Sequence, residues 1–351
     1  MRKICVAALF MLVCYCCSQS VKAPARAPFE FRDLLSDYHF FEGALKQLHP
    51  RNGVTGYQLA TPLFTDYSVK DRFIVLPKDS FLTYNGSGLP IFPDSTFIVK
   101  NFAYTNVNHE KIMIETRILF KDPYDHGWKV MNYLWNDAQT DASRWIAGKR
   151  ISITFLDDQG QQHSTMYQMP NTNDCKRCHI NNSVLTPIGP KIRNLNWTPP
   201  GTAGNQLQRW ASAGMLHQLP AIASVHQLPV WTDSLHFSVG ERARAYLDVN
   251  CAHCHIKGGD AYNTGLFLDY ESTASVPGVY KSPVSAGGGA GGLDYDIVPG
   301  DAGSSILAYR MNSVEPGVAM PELARTVIHK EGVALISKWI NEMPKENKKS
   351  R

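Results

Sequence analysis

The sequence predicts an α+β, multidomain protein in which an N-terminal antiparallel β-rich, sandwich-like domain precedes a mainly α-helical region. Three observations predict this class. Apolar and polar residues alternate with period two within residues 61–165, apolar residues recur with helical spacing after Ser238 and after Glu331, and two Cys-x-x-Cys-His boxes follow the alternating part. At 351 residues the chain exceeds one typical domain.

The first 23 residues have the order of a secretory signal. Arg2 and Lys3 precede an apolar run at 4–17, and the small-residue end Val21-Lys22-Ala23 follows. The run is too short to span a bilayer comfortably. We therefore expect a signal peptide at 1–23 and a periplasmic or otherwise exported mature protein.

A lipid anchor is the alternative at this end of the chain. Cys14, Cys16 and Cys17 lie where a lipoprotein signal places its acylated cysteine, although the residues ahead of Cys17 fit the usual motif poorly. Membrane attachment, if present, would then be through this N-terminal lipid alone.

Composition excludes several classes of protein. Hydrophobic residues make up 44% and charged residues 19%, which indicates a globular protein rather than a disordered chain or a membrane bundle. Without Arg2, Lys3 and Lys22, the 35 basic residues fall to 32 against 31 acidic ones, so the charge balance gives no reason to expect a nucleic-acid partner.

The β-rich domain is predicted at 24–165, including a leader with short helical hints at 31–35 and 40–48. Half-buried antiparallel strands are expected at 73–76 and 97–104 and around 112–120 and 151–155. In the third of these, Ile114 and Ile118 alternate with Glu115 and Arg117.

Helices are predicted in the second half. One spans about 205–216, with its apolar stripe at Leu207, Trp210, Ala211 and Met215. Ser238 and Glu241 form a capping box, which starts a helix at Val239. The residues expected on one face of that helix are Ala243, Leu247, Cys251 and Cys254. A last amphipathic helix from Glu331 carries Leu335, Ile336, Trp339, Ile340 and Met343 on one face.

The two boxes, at 175–179 and 251–255, carry the chemistry. Cys-x-x-Cys-His is the attachment signature of c-type haem, in which both sulfurs bond to the porphyrin and the histidine ligates the iron. Zinc ribbons separate their cysteine pairs by about 15 to 20 residues, whereas 72 residues lie between Cys178 and Cys251. The boxes also use all four cysteines that follow the signal. Zinc or a redox disulfide is the alternative.

Two covalently attached haems are therefore predicted, one in a segment at 166–236 and one in a helical domain at 237–347. The cofactor-binding residues are Cys175, Cys178, His179, Cys251, Cys254, His255 and Met320. The expected iron ligands among them are His179, His255 and Met320. His253, inside the second box, is expected to face solvent.

The sixth ligand decides whether an iron transfers electrons or admits peroxide or oxygen. For the second haem, Met320 follows a turn-rich segment and precedes the last helix, whereas its competitor Met311 has the setting of a core residue. For the first haem the choice stays open. Its candidates are Met166, Met169, Met215, His217 and an open or water-bound iron.

Two resemblances strengthen this interpretation. The first resemblance is to a class I cytochrome c domain. It rests on Glu241, the second box and residues 298–301, 319–321 and 339–340, and it implies His255 and Met320 as axial ligands. The mature chain is similar to a largely uncharacterised family of exported bacterial diheme c-type cytochromes with an N-terminal β-rich domain. The matching stretches are 61–67, 114–117, 133–141 and 186–195.

That resemblance implies periplasmic electron transfer with an external redox protein or dehydrogenase. A diheme peroxidase-like oxidoreductase with one open iron is the first alternative. The second is a haem-containing binding subunit of a periplasmic dehydrogenase, in which Trp128, Trp135 and Trp145 of the β domain would line a surface for a partner or a carbohydrate. Aromatic residues in such a domain are more often core.

Overall fold

One antiparallel sheet of eight strands dominates the first half of the chain. The computed structural model describes residues 29–157, 159–271, 277–284 and 286–345. Its strands are β1 (Phe41–Glu42), β2 (His49–Pro50), β3 (Val54–Gly56), β4 (Val69–Val75), β5 (Leu82–Thr83), β6 (Phe97–Thr105), β7 (Lys111–Lys121), β8 (Trp128–Trp135), β9 (Ala142–Trp145), β10 (Lys149–Leu156), β11 (Gln162–Met169), β12 (Ile180–Asn181), β13 (Val184–Leu185) and β14 (Leu216–His217).

Strand β6 lies at the centre of this sheet. The order is β11-β10-β6-β7-β8-β9, and β4 also pairs with β6, with β3 on the outer side of β4. Strand β4 pairs with β6 over seven residues, whereas β10 meets β6 only at Leu156 and Thr105. The β-rich, antiparallel prediction is confirmed, but these strands form one sheet instead of the two packed sheets of a sandwich.

Both faces of the sheet are covered, although the alternating pattern predicted strands with one exposed face. On one face, Phe73, Val99 and Ile118 pack with residues of the leader. On the other, Ile74, Ile98 and Leu119 pack with helical residues from farther along the chain, including Ile192 and Leu207. The polar positions of β7 therefore face protein, and Glu115 is fully buried.

The leader packs onto the sheet as expected, but it is not helical. Leu35, Phe40, Phe41 and Leu48 are buried in the cluster on the first face. Among the described residues of the leader there are only two short 3-10 turns, Ser36–Tyr38 and Leu45–Gln47. His39 and Leu48, which end these turns, have left-handed backbone conformations that stop a helix from continuing.

In the part of the chain that the structure describes, six α-helices follow the sheet. They are α1 (Thr172–His179), α2 (Ile192–Leu195), α3 (Gln206–Ser212), α4 (Val239–Asn250), α5 (Ile306–Met311) and α6 (Lys330–Glu342). The helices predicted from about 205, from Val239 and from Glu331 are present as α3, α4 and α6. Within 237–347 the described chain between α4 and α5 has only 3-10 turns, so the mainly helical character expected of this region is not shown.

Helices α4, α5 and α6 share one apolar core. Leu247 of α4, Leu307 of α5 and Ile336 of α6 are buried together. Gly332 allows α4 and α6 to approach closely, because a Cβ at this position would collide with the Tyr246 hydroxyl. Among the described residues, no helix combines the length and the apolar character needed to cross a membrane.

Candidate functional site

The first box lies on helix α1, which the sequence interpretation missed. The side chain of Asn171 accepts hydrogen bonds from the backbone N–H groups of Asn173 and Asp174 at 2.8 and 2.9 Å. Asp174 in turn accepts one from the Asn171 N–H at 3.1 Å, which completes a capping box. Cys175, at the buried side of this helix, places its Sγ 3.7 Å from Asn132 Oδ1 on β8.

The second box follows helix α4. The predicted capping box is present, with the Ser238 N–H donating to Glu241 Oε2 at 2.9 Å. The helix ends at Asn250, however, and the box folds into successive turns. Cys251 and Cys254 therefore do not continue the helical face that was predicted. Cys251 is still buried in the core formed with Ala243 and Leu247.

Both box histidines are held by a backbone carbonyl. His179 Nδ1 lies 2.9 Å from the Thr186 oxygen, and His255 Nδ1 lies 3.2 Å from the Leu266 oxygen. Because a carbonyl oxygen only accepts, Nδ1 carries the proton in each ring and Nε2 keeps a free lone pair. Burial lowers the pKa of His179 to about 4 and also lowers the pKa of His255. Each ring is thus a neutral potential metal ligand at neutral pH.

The fold brings the two boxes together. Cys178 Sγ, Cys254 Sγ and a ring nitrogen of His253 all lie within 4.8 Å of one another. A hydrogen bond from Cys254 lowers the pKa of Cys178, and the same bond raises the pKa of Cys254. The prediction that His253 faces solvent is wrong, because its side chain is half-buried and its Nδ1 is buried without a hydrogen-bond partner.

A single cavity of about 380 Å³ connects the boxes. Its volume lies within the range of cofactor-sized pockets. Its lining includes all the attachment and histidine ligand positions of both boxes, which are Cys175, Cys178, His179, Cys251, Cys254 and His255. The wall therefore offers two pairs of thiols and two neutral imidazoles to the same space.

Met320 and Met311 both line this cavity and a smaller neighbouring one of about 70 Å³. Cys251 and His255 line the smaller cavity as well. Met311 is buried in the core of α4, α5 and α6, whereas Met320 is half-buried and lies outside that core. Met311 therefore has the position of a packing residue, and the role of Met320 as an iron ligand stays a prediction.

None of the four side chains proposed as sixth ligand for the first box lines the cavity. Met169 of β11 is fully buried in a cluster with Tyr167, and Met166 is exposed. Met215 packs against the core near α3, and His217 is exposed and stacks on Phe81.

Basic residues on the sheet were missed as part of this site. Arg72, Lys100 and Arg117 line the cavity from β4, β6 and β7. Their alternating positions resemble those of solvent-facing residues, and no local signal shows that another segment covers them. A polar face that continues across three neighbouring strands is the only hint that the sequence contains.

The three tryptophans of the β domain do not form a common exposed surface. Trp135 is buried with the leader, Trp128 packs beside Phe92, and Trp145 packs against the cluster at Tyr167. They contribute to three different apolar clusters. Core packing, the more usual role of such residues, accounts for their positions.

The predicted signal peptide at 1–23, with Cys5, Cys14, Cys16 and Cys17, lies outside the described residues. In comparisons of the whole chain with known proteins, no family model, no curated protein and no solved structure matched it. The resemblance to diheme c-type cytochromes therefore stays a prediction that rests on the quoted residues, and the geometry of the two boxes is the independent observation beside it.

Proposed function

We propose that this chain is an exported diheme c-type cytochrome that transfers electrons to or from an external redox partner. One observation carries the proposal. The two Cys-x-x-Cys-His boxes, far apart in sequence, line one cavity, and each presents a neutral histidine whose Nε2 is free to bind metal.

The residues of the cavity fit two c-type haems. Each box offers two thiols for thioether bonds and one histidine already oriented by a backbone carbonyl. Basic side chains, including Arg72, Lys100 and Arg325, line the same cavity and can pair with porphyrin propionates. Thus the thiols, imidazoles and cations that the group requires are all present in one cavity.

A haem at each box would supply reversible one-electron transfer between ferric and ferrous iron. His179 and His255 would hold the iron from one side, and their Nδ1–H bonds to carbonyls make the imidazoles stronger donors. Cys251 and His255 are buried, which would limit the access of water to a metal held there. Since Cys178 and Cys254 are neighbours, the two attachment points lie close enough to support electron exchange within one chain.

We also propose that α4, α6 and the segment carrying Met320 form a class I cytochrome c-like unit. Helix α4 leads into the second box, α6 packs on α4, and Met320 lies between α5 and α6 at the cavity wall. The signal peptide predicted at 1–23 supports export. The redox partner would then be a periplasmic redox protein or dehydrogenase. An N-terminal lipid anchor stays an alternative for attachment to a membrane.

Pyridine haemochrome analysis tests the proposal directly. The full chain is produced in a host with c-type haem maturation, together with the paired variants Cys175→Ala/Cys178→Ala and Cys251→Ala/Cys254→Ala. We expect two covalent haems per wild-type chain and one in each paired variant. Absence of covalent haem from folded wild-type protein contradicts the proposal.

A metal site without haem is a second candidate, favoured by the Cys178, His253 and Cys254 group. Three such ligands suit zinc, with a fourth position for water or another group. This candidate predicts one zinc per chain, no haem, and loss of the zinc in His253→Ala. Two haems with no zinc exclude it.

A peroxidase-like enzyme with one open iron is favoured by a different observation. None of Met166, Met169, Met215 and His217 reaches the cavity to close the first iron. This candidate predicts rapid, stoichiometric binding of carbon monoxide to one haem of the reduced wild-type protein. A carrier with two closed irons binds none.

A further inference from the structure

Three cations stand in one row on the cavity face of the sheet. Arg72 of β4 is directly opposite Lys100 of β6, and Lys100 is directly opposite Arg117 of β7. All three line the cavity. Like charges directly opposite one another destabilise a sheet, so this row is costly to the protein by itself.

The chain neutralises only one end of the row. Arg117 forms an ion pair with the buried Glu115. Within the described residues, neither Arg72 nor Lys100 has a carboxylate in ion-pair contact, and Arg72 donates only a long bond of 3.4 Å to the Lys70 carbonyl. Lys100 lies over the Phe102 ring, with Nζ 4.7 Å from its centroid.

Desolvation makes this arrangement more costly. Arg72 is about nine-tenths buried. Burial, reinforced by Arg72, Lys70 and Arg117, lowers the pKa of Lys100 well below its ordinary value. A buried cation normally has a paired anion, so a negative group is missing from this wall.

The row faces the first box. Asn132 is the next residue along it, directly opposite Arg117 on β8. The Asn132 side chain accepts the weak hydrogen bond from Cys175 Sγ. Lys100 also lines the same cavity as Cys175 and His179 of the first box. The missing anion therefore belongs beside the first box, at 175–179.

We propose that Arg72, Lys100 and Arg117 form a carboxylate-binding site beside the first box. Guanidinium groups match the two oxygens of a carboxylate, and the row offers two of them on either side of an ammonium group. One source of the carboxylate is the propionates of a haem at Cys175 and Cys178, which rests on the function proposed above. The other source is a free carboxylate that enters the cavity. The β domain would then supply part of a ligand site.

The test compares Arg72→Gln and Lys100→Gln with Lys149→Gln. Lys149 is an exposed residue on β10 of the same sheet and does not line the cavity, so it is a matched control for loss of charge. Each replaced cation is one of three that repel each other, so we expect the variants to fold. The measurements are the haem content, the midpoint potential of each haem, and the response of the melting temperature to added succinate.

If the propionates are the ligand, both cavity variants lower the potential of one haem, because loss of a nearby positive charge favours the ferric state. Succinate then has no effect on the loaded wild-type protein. If a free carboxylate is the ligand, succinate raises the wild-type melting temperature in a saturable way, and both cavity variants lose this response. Lys149→Gln behaves as wild type in either case.

The proposal is overturned if both cavity variants retain wild-type haem content, potentials and succinate response. It can also be separated from the function proposed above. Should folded wild-type protein contain no haem, succinate is titrated against that haem-free protein. A saturable rise in melting temperature that Lys100→Gln abolishes supports the site, and no rise overturns it.

Discussion

Met311 and Met320 show how two residues of the same type at one cavity differ in role. Both lie beside His255 at the cavity wall, but only Met311 is a member of the core of α4, α5 and α6. Truncating a buried core methionine leaves a cavity, whereas truncating a half-buried one outside the core leaves the packing largely intact. The two side chains can therefore be separated by experiment.

We expect Met320→Ala to open the second iron without unfolding the protein. In the reduced diheme protein it should bind one more equivalent of carbon monoxide than wild type, because the thioether no longer occupies the sixth position. Met311→Ala should leave carbon monoxide binding unchanged and lower the free energy of unfolding by about 2 to 5 kcal/mol. The reverse pattern would make Met311 the ligand.

Single residues could be singled out where a local motif marks them. The box cysteines, His179 and His255 were named from the Cys-x-x-Cys-His spacing alone, and all of them line the cavity. His253 was misjudged, since its half-burial depends on Cys178, which belongs to another segment of the chain. No pattern within a few residues of His253 carries that information.

A buried ion pair joins helices α2 and α4. Arg193 of α2 donates two hydrogen bonds to the Asp248 carboxylate of α4, at 2.8 and 2.9 Å. Both side chains are almost completely inaccessible to solvent, and Lys191 adds a third contact at 3.4 Å. Desolvation raises the pKa of Asp248, but Lys191 and Arg193 outweigh it and hold the pKa below its ordinary value. This pair links the segment after the first box to the helix before the second.

Removal of Arg193 should therefore be strongly destabilising. Arg193→Met leaves the buried Asp248 with Lys191 as its only cationic contact among the described residues. We expect a loss of about 3 to 5 kcal/mol in the free energy of unfolding at pH 7. The double variant Arg193→Met/Asp248→Leu should recover most of that loss. Urea unfolding followed by circular dichroism measures both values, and equal losses in the two variants would contradict the ion-pair account.

The pH dependence of this effect has a defined sign. The folded pKa of Asp248 lies below the unfolded value of about 3.9. Its stabilising contribution is therefore present above about pH 4 and is lost as the pH falls through the folded pKa. The difference between wild type and Arg193→Met should shrink over that acidic range.

Elements were predictable where their signals are periodic or lie at their ends. Helix α4 begins where Ser238 and Glu241 place it, and α6 begins within one residue of Glu331. Helix α1 has the same kind of signal, Asn171 with Asp174 three residues later, but it is short and follows directly from a strand. The local sequence pattern could not predict that the second face of the sheet is covered, because the covering residues, such as Ile192, lie far away in the sequence.

The whole molecule brings together two boxes that lie 72 residues apart in sequence. This proximity could not be predicted from either box, since it depends on how the chain between them folds back against the sheet. The linking contacts are specific. Asn182 donates its backbone N–H to the Gly258 carbonyl at 2.9 Å, and Arg177 donates to Asp260 at 3.0 and 3.1 Å. Each contact joins a residue in or just after one box to a residue just after the other.

Close attachment points predict coupled haems. If Cys178 and Cys254 both carry thioether bonds, the porphyrin edges joined to these sulfurs are neighbours, because the sulfurs lie within 4.8 Å of each other. Strong transitions in neighbouring porphyrins couple, so the wild-type Soret band should give a circular dichroism signal with two lobes of opposite sign. The variants Cys175→Ala/Cys178→Ala and Cys251→Ala/Cys254→Ala, each with one haem, should lack this signal. If the wild-type spectrum equals the sum of the two single-haem spectra, the haems are not held side by side as the paired cysteines require.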